Sequence, residues 1–388
     1  MRILLYILIM AIFILLALLL KDKSLIITII CSLIIISFVL NPMVCIKGCI
    51  SGASLFFYKV FPSLFPFLII CNIMLSYNGV YIYSKVFGKL LCYPLGLPLN
   101  CSFALIVSIL CGYPLGAKYS CDLYEKKIID YKTCERLLNI ASNPSPLFII
   151  GSVATSMLGN TNIGYVLLLA CYISCIIISF IIPGRVHGKK FNDKKNISQS
   201  FNINLGNVLR DSIDNGIKTS LSVGGFIILF SVVNSIIKNS FIFHFILEKI
   251  LIIFKIPKTL SEGSILGLME MTNGCNTISS CNINYGVKLL IIGFLLSFSG
   301  LCIIWQCNSF MSKHGFSLIN YSKYKVIQGL LCSLVSYILY LLLYNNSVVT
   351  TFKENISISY NINLIFITAI FLLFILPVIT YNLKKHIQ

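Results

Sequence analysis

Acidic side chains are scarce in this 388-residue sequence, where 12 Asp and Glu stand against 30 Lys and Arg. Charge of either sign makes up 11% of the residues, less than half of the roughly 25% usual in a soluble domain. So little polar surface cannot cover a chain that is 57% hydrophobic, which excludes an ordinary soluble fold and points to lipid as the outer solvent. Histidine is scarce and scattered, at positions 187, 244, 314 and 386. Cysteine is not scarce, with 16 residues, but C-x-x-C spacing is missing: the close pairs are Cys45 with Cys49, Cys171 with Cys175, and Cys302 with Cys307. No metal site is expected, and the thiols read as small hydrophobes suited to close helix packing. Paired carboxylates inside apolar runs and nucleophile–histidine arrangements are also missing, so an enzyme is not expected.

Apolar runs are what the sequence does have. Ile3–Leu20 and Leu25–Leu40 form a first hairpin around Lys21-Asp22-Lys23, and the first run reads as a retained helix rather than a cleaved signal. Val60–Leu75 follows, with Pro62 and Pro66 loosening its start. Further runs cover Cys101–Leu110, Leu147–Leu158, Gly164–Ile182, Val223–Ile237, Phe241–Phe254, Ile265–Met271, Val287–Trp305, Val326–Tyr344 and Leu364–Leu383. Tyr119–Leu138 differs: mixed charges with Tyr124, Ile128, Tyr131, Cys134 and Leu138 at helical spacing read as an amphipathic helix at the membrane edge or under the bundle. The expected fold is an all-α polytopic membrane protein, a helical bundle of two repeated halves containing discontinuous or re-entrant helices.

The cations sit in short clusters between the apolar runs, as the positive-inside bias places them, and not on one solvated face; no nucleic-acid partner is expected. Lys384 with Lys385 puts the C-terminus in the cytoplasm, and Lys323 with Lys325 marks the same side. The basic stretch 184–204 reads as a cytoplasmic linker. It divides an N-terminal hairpin (1–45) and a first half (50–183) from a second half (205–310) and C-terminal helices (311–388).

The two sides of the linker resemble each other. Leu110 to Gly116 (LCGYPLG) falls opposite Leu268 to Gly274 (LMEMTNG), and Pro146–Ile150 opposite Gly300–Ile304. Pro66–Ile70 likewise falls opposite Gly225–Leu229, one gap away. Such a repeat matches secondary transporters, whose broken helices lie at corresponding places. An unwound stretch survives in hydrocarbon only when buried in protein or lining a wet cavity, and its half-helix N-termini suit an anionic ligand. The candidate binding residues are therefore Gly112, Tyr113, Gly116, Lys118, Asn143 and Ser145 in the first half, and Glu270, Thr272, Asn273 and Gln306 in the second. Glu270 stands alone as a carboxylate within an apolar run: a carrier of a coupling proton, a ligand of Na⁺, or a protonated cap on a helix end. Lys118 either attracts an anion or anchors its segment at the interface. No cofactor is expected beyond a coupling ion, H⁺ or Na⁺.

With those residues in view, the chain resembles the sporulation integral membrane protein family called YlbJ, or SpoVV. The resemblance rests on Phe61–Phe67, on Gly112–Lys118, on Ser142-Asn143-Pro144 with Pro146–Ile149, and on Gly267–Thr272, over about residues 50–345. It implies two nucleoside-recognition (Gate) domains. It also implies a role in spore formation, the export of dipicolinic acid from the mother cell across the outer forespore membrane. A small planar dianion of that kind would want helix N-termini, amide donors and aromatic walls such as Tyr113, Phe148 or Trp305. A nucleoside-like solute, or a scaffold that transports nothing, are the alternatives. The second half departs from the pattern in reading Asn273-Gly274-Cys275 without proline, and the segment from Leu364 lies outside the resemblance.

Overall fold

A computed structural model describes residues 23–77, 79–184, 204–254 and 256–344, together with Met10 and Ile14. The rest of the first apolar run, most of the basic linker and the segment from Leu364 onward lie outside the described residues. Every element among the described residues is helical. Helix α1 (Lys23–Leu40) is apolar all round, with Ile27, Leu33 and Val39 exposed, as a lipid-facing helix should be. After Asn41 comes α2 (Pro42–Leu55), which winds through a π-turn (Phe56–Val60) into α3 (Phe61–Ser76). Two short helices follow, α4 (Gly79–Val86) and α5 (Gly88–Leu95), the latter closed by left-handed Gly96.

Next is a helical hairpin. Helix α6 (Ser102–Cys111) turns at Gly112–Pro114 and returns as α7 (Leu115–Glu125), close enough that a methyl on Gly116 would stand 2.8 Å from Ser108 Cβ. Then α8 (Tyr131–Ile140) ends, the chain unwinds over Ala141–Ser145, and it resumes as a wide-wound π-helix (Leu147–Met157). The wide winding shows in its backbone: Leu158 N–H donates to Val153 O, five residues back. Helix α9 (Thr161–Ile181) closes this half, its first turn capped by Asn160, whose Oδ1 accepts from Asn162 N–H.

Beyond the linker the same order recurs. Helix α10 (Leu205–Lys238) is long, and α11 (Phe241–Phe254) is short. Helices α12 (Lys258–Met269) and α13 (Met271–Ser279) form a second hairpin with Glu270 at its tip. A methyl on Gly274 would stand 2.3 Å from Gly267 Cα, and one on Gly263 2.8 Å from an Ile278 side-chain carbon, so the two legs run antiparallel in backbone contact. Helices α14 (Tyr285–Phe298) and α15 (Gly300–Met311) make a second discontinuous rod, broken where Ser299 and Gly300 both take positive φ. Helix α16 (Leu318–Tyr344) ends the described chain.

The aligned motifs fall at matching points of these elements. Gly112 and Glu270 are the residues at which α6 and α12 end, and Pro146 and Gly300 stand at the start of the outgoing helix of each rod. Corresponding long helices pack against each other in opposite directions. Ser235 lies by Gly48, Ser231 by Gly52, Phe56 by Gly224 and Ser212 by Asn72, so α2–α3 and α10 are antiparallel along their whole length. Cys171 and Cys332 sulfurs lie 3.7 Å apart while Leu339 packs on Val166 and Leu169, so α9 and α16 are antiparallel as well. Opposed equivalents are the mark of an inverted-topology repeat. Lipid offers no hydrophobic drive to join helices, so contact depends on small side chains that let backbones approach, which Gly48, Gly52 and Gly224 supply.

Four runs are long and apolar enough to cross a membrane, by length and composition: Thr161–Ile181, Leu205–Lys238, Tyr285–His314 and Leu318–Leu343; three bent helix pairs raise the number to as many as seven. This is an all-α polytopic membrane protein. Two expectations need correction. Tyr119–Leu138 is not one amphipathic edge helix. It is the end of α7, a reversal with Lys127 at φ 56°, and α8, with Tyr119, Ser120, Arg136 and Leu137 buried. The buried cations there are matched internally: Lys118 pairs with Asp122, and Arg136 donates to the carbonyls of Leu95, Ser179 and Ile182 at two helix ends. The apolar run Val287–Trp305 is likewise not continuous, because hydropathy carries no sign of the break at Ser299–Gly300.

Candidate functional site

The four interruptions converge. Within the first half the hairpin tip rests on the unwound rod: Tyr113 N–H donates to Asn143 O over 2.8 Å, and a methyl on Gly112 would stand 2.5 Å from Ser145 N. Gly112 has φ +79°, so both space and backbone conformation require glycine there. Within the second half the rod's break rests on the hairpin: a methyl on Gly300 would stand 3.2 Å from Gly267 O and Met271 N. The halves join where the Tyr113 hydroxyl reaches across, 2.7 Å from Met271 Sδ and 3.2 Å from Leu296 O.

A cavity of about 310 Å³ lies at this crossing. Tyr113, Pro114, Ser145, Phe148 and Ser152 line it from the first half, and Glu270, Met271, Thr272, Cys302 and Gln306 from the second. Leu55, Val60, Leu64 and Phe67 of the α2–α3 segment, with Val223 and Ile227 of the adjoining α10, complete an apolar wall. Its volume suits a small, single-ring solute. Its polar groups are few and mostly neutral: the hydroxyls of Ser145, Ser152 and Thr272, the Gln306 amide, and one carboxylate.

That carboxylate is Glu270, buried at 6% exposure. Its backbone is extended (φ −141°, ψ 111°), which ends α12, and its side chain folds over the start of α13. Oε1 accepts from Thr272 N–H at 2.9 Å and Oε2 from Asn273 N–H at 2.8 Å. This is an N-cap made by a glutamate, and it fills the positive end of α13 with the chain's own carboxylate. The expectation of a vacant half-helix N-terminus for an anion is therefore corrected at this tip. The start of the π-helix differs: Ser145, Leu147 and Phe148 line the cavity, and there a neutral hydroxyl, Ser145 Oγ, accepts from Phe148 N–H at 3.3 Å.

Of the ten residues picked from sequence, Tyr113, Ser145, Glu270, Thr272 and Gln306 line the cavity together. Gly112 and Gly116 are packing residues behind it; a methyl on Gly116 would stand 1.9 Å from Ala141 O. Asn273 contributes its backbone N–H to the cap. Lys118 is not in the cavity: it is buried, ion-paired to Asp122 at 2.8 Å, and set 4.4 Å from the Tyr119 ring centroid. Asn143 faces a separate void of about 30 Å³, its amide donating to Ile140 O and Cys175 Sγ and accepting from Gln328 Nε2. Trp305 is 46% exposed and not a wall of the cavity, whereas Tyr113 and Phe148 are. Among the described residues no group of three or more His, Cys, Asp or Glu could hold a metal ion.

Sequence reading missed Lys325 altogether. The sequence places it beside Lys323 as an inner-face charge, yet it is fully buried and bonded to the unwound rod. The signal was available: Tyr321, Lys325 and Gln328 recur at helical spacing, a polar stripe on one face of α16, and all three are buried.

The chain is 26% identical over 324 residues to the sporulation integral membrane protein YlbJ of Bacillus subtilis (strain 168), an alignment that covers 78% of this chain and 79% of that protein. The resemblance to that family read from the motifs thus holds along most of the sequence. No protein-family model matches the chain. No solved structure matches it either, and the nucleoside-recognition domains stay an implication of the resemblance.

Proposed function

We propose that this YlbJ-like membrane protein is a transporter serving sporulation, and that its cargo is a small planar acid, dipicolinic acid, moved from the mother cell across the outer forespore membrane. The observation that carries the reading is the cavity at the crossing of two hairpin tips and two broken rods, which is where an alternating-access carrier built on inverted repeats holds its solute. Phe67, Phe148 and Tyr113 give flat walls for a ring, and Ser145, Ser152, Thr272 and Gln306 give hydrogen bonds to carboxylate oxygens. Glu270 sets a condition on the cargo. With a carboxyl and no cation in its lining, the cavity offers a dianion no partner charge, so the acid travels with protons or another cation that offset its charge.

The lone carboxylate favours a second reading, a neutral nucleoside-like solute, because such a solute needs no compensating cation. Purified protein in liposomes separates the two. Uptake of labelled dipicolinate, driven by an imposed proton gradient and not competed by uridine, supports the first; uridine uptake with no dipicolinate uptake supports the second. Absence of flux for both solutes, with oriented and folded protein, contradicts the transport reading.

A further inference from the structure

Lys325 of α16 is 0% exposed, and no carboxylate is paired with it: the ion pairs among the described residues are Lys118–Asp122 and Lys238–Glu262. A buried ammonium costs several kcal/mol unless polar groups replace its water. Here the replacements are all neutral oxygens. Nζ donates to Ser142 O at 2.7 Å and to Gln328 Oε1 at 2.9 Å. Gln328 Nε2 in turn donates to Asn143 Oδ1 at 2.8 Å, and the Ser142 and Tyr321 hydroxyls lie 2.6 Å apart. The whole group sits just past the end of α8, whose last carbonyl, Ile140 O, accepts from Asn143 Nδ2. Freed carbonyls and the negative end of a helix are what an alkali cation binds inside a broken membrane helix, and amide and hydroxyl oxygens are its other usual ligands.

We propose that the break at Ser142–Asn143 is a monovalent-cation site, and that the ammonium of Lys325 occupies it as a tethered cation in place of Na⁺. Two oxygens hold the ammonium directly, Ser142 O and Gln328 Oε1, and the next groups out are Asn143 Oδ1, which accepts from the Gln328 amide, and the paired Ser142 and Tyr321 hydroxyls. The tether fixes α16 to the broken rod of the first half. It also makes the rod's geometry, and through Asn143 O the position of Tyr113, independent of external sodium. This inference concerns a site behind the cavity and does not rest on the transport reading.

The test is thermal unfolding of detergent-purified protein in NaCl against choline chloride of equal ionic strength. Wild type should melt identically in the two salts. Lys325→Ser should melt lower than wild type in choline and recover by about 2–4 °C or more in NaCl, as a ligand that binds only the folded state requires. Adding Gln328→Leu to Lys325→Ser should remove the recovery. A purely structural lysine would give a destabilised variant blind to the salt, and that result, or a sodium response in wild type, would overturn the proposal. Should Lys325→Ser fail to assemble in choline, it is extracted in NaCl instead: monodisperse protein in NaCl alone supports the site, and monodisperse protein in neither contradicts it.

Discussion

Replacing Gly274 with alanine strikes the second hairpin where its legs are closest. The added methyl would stand 2.3 Å from Gly267 Cα, 2.9 Å from Gly263 O and 2.9 Å from Gly267 N, all backbone atoms that no rotamer change can move. Carbon atoms rest comfortably about 3.5–4.0 Å apart, so the legs must part by more than 1 Å. Parting them also loosens Leu295, whose side chain fills the space beside Gly267. Forced overpacking costs about 1–3 kcal/mol or more, and alanine returns up to about 1 kcal/mol through its better helix propensity. The net expectation is a loss of about 1–2 kcal/mol, or roughly 2–8 °C in the unfolding midpoint in detergent. Gly225→Ala is the control: it lies in α10 with nothing within 4 Å of the new methyl, so only the propensity gain applies and the midpoint should hold or rise. If Gly274→Ala were as stable as Gly225→Ala, the hairpin would not be closed as described.

Other outcomes follow from the same geometry. Arg136→Met leaves the carbonyls of Leu95, Ser179 and Ile182 without their donor and should cost about 3 kcal/mol or more, read as lost folded protein in the membrane; Arg136→Lys should not restore it, because one ammonium cannot reach three carbonyls as a planar fork does. Cysteines placed at Gly48 and Ser235, in a chain lacking Cys45 and Cys49, should cross-link on oxidation. With a protease site inserted in the basic linker, the two halves would then stay joined after cleavage, whereas a parallel arrangement of α2 and α10 would let them separate. Glu270→Ala removes both acceptors of the α13 cap and should lower stability by about 1–2 kcal/mol, with Glu270→Asp intermediate.

The membrane class and the discontinuous helices were legible because composition and backbone hydrogen bonding leave few options in lipid. The paired motifs were legible too: Gly112 and Glu270, though chemically unlike, end corresponding helices. Hydropathy could not show that these tips belong to hairpins folded back on themselves, since the sign of it is the contact of Gly267 with Gly274, a tertiary fact. Nor could it separate Lys323 from Lys325, because both stand in one polar stretch and only helical phase turns the second inward. Asn143 and Lys118 read as ligands because polar residues near a break are natural candidates. Their partners, Gln328 and Cys175 for one and Asp122 for the other, make them supports of the break and of α7.

The most direct test of the central claim is dipicolinate flux into liposomes by wild type and Glu270→Gln, with equal amounts of folded protein. The glutamine keeps one acceptor oxygen for the cap, so the hairpin tip should survive while the ionisable group that faces the cavity is gone. The account predicts proton-driven flux in wild type and its loss in the variant. Undiminished flux in Glu270→Gln would contradict the account, because the carboxyl that faces the cavity would then play no part in transport.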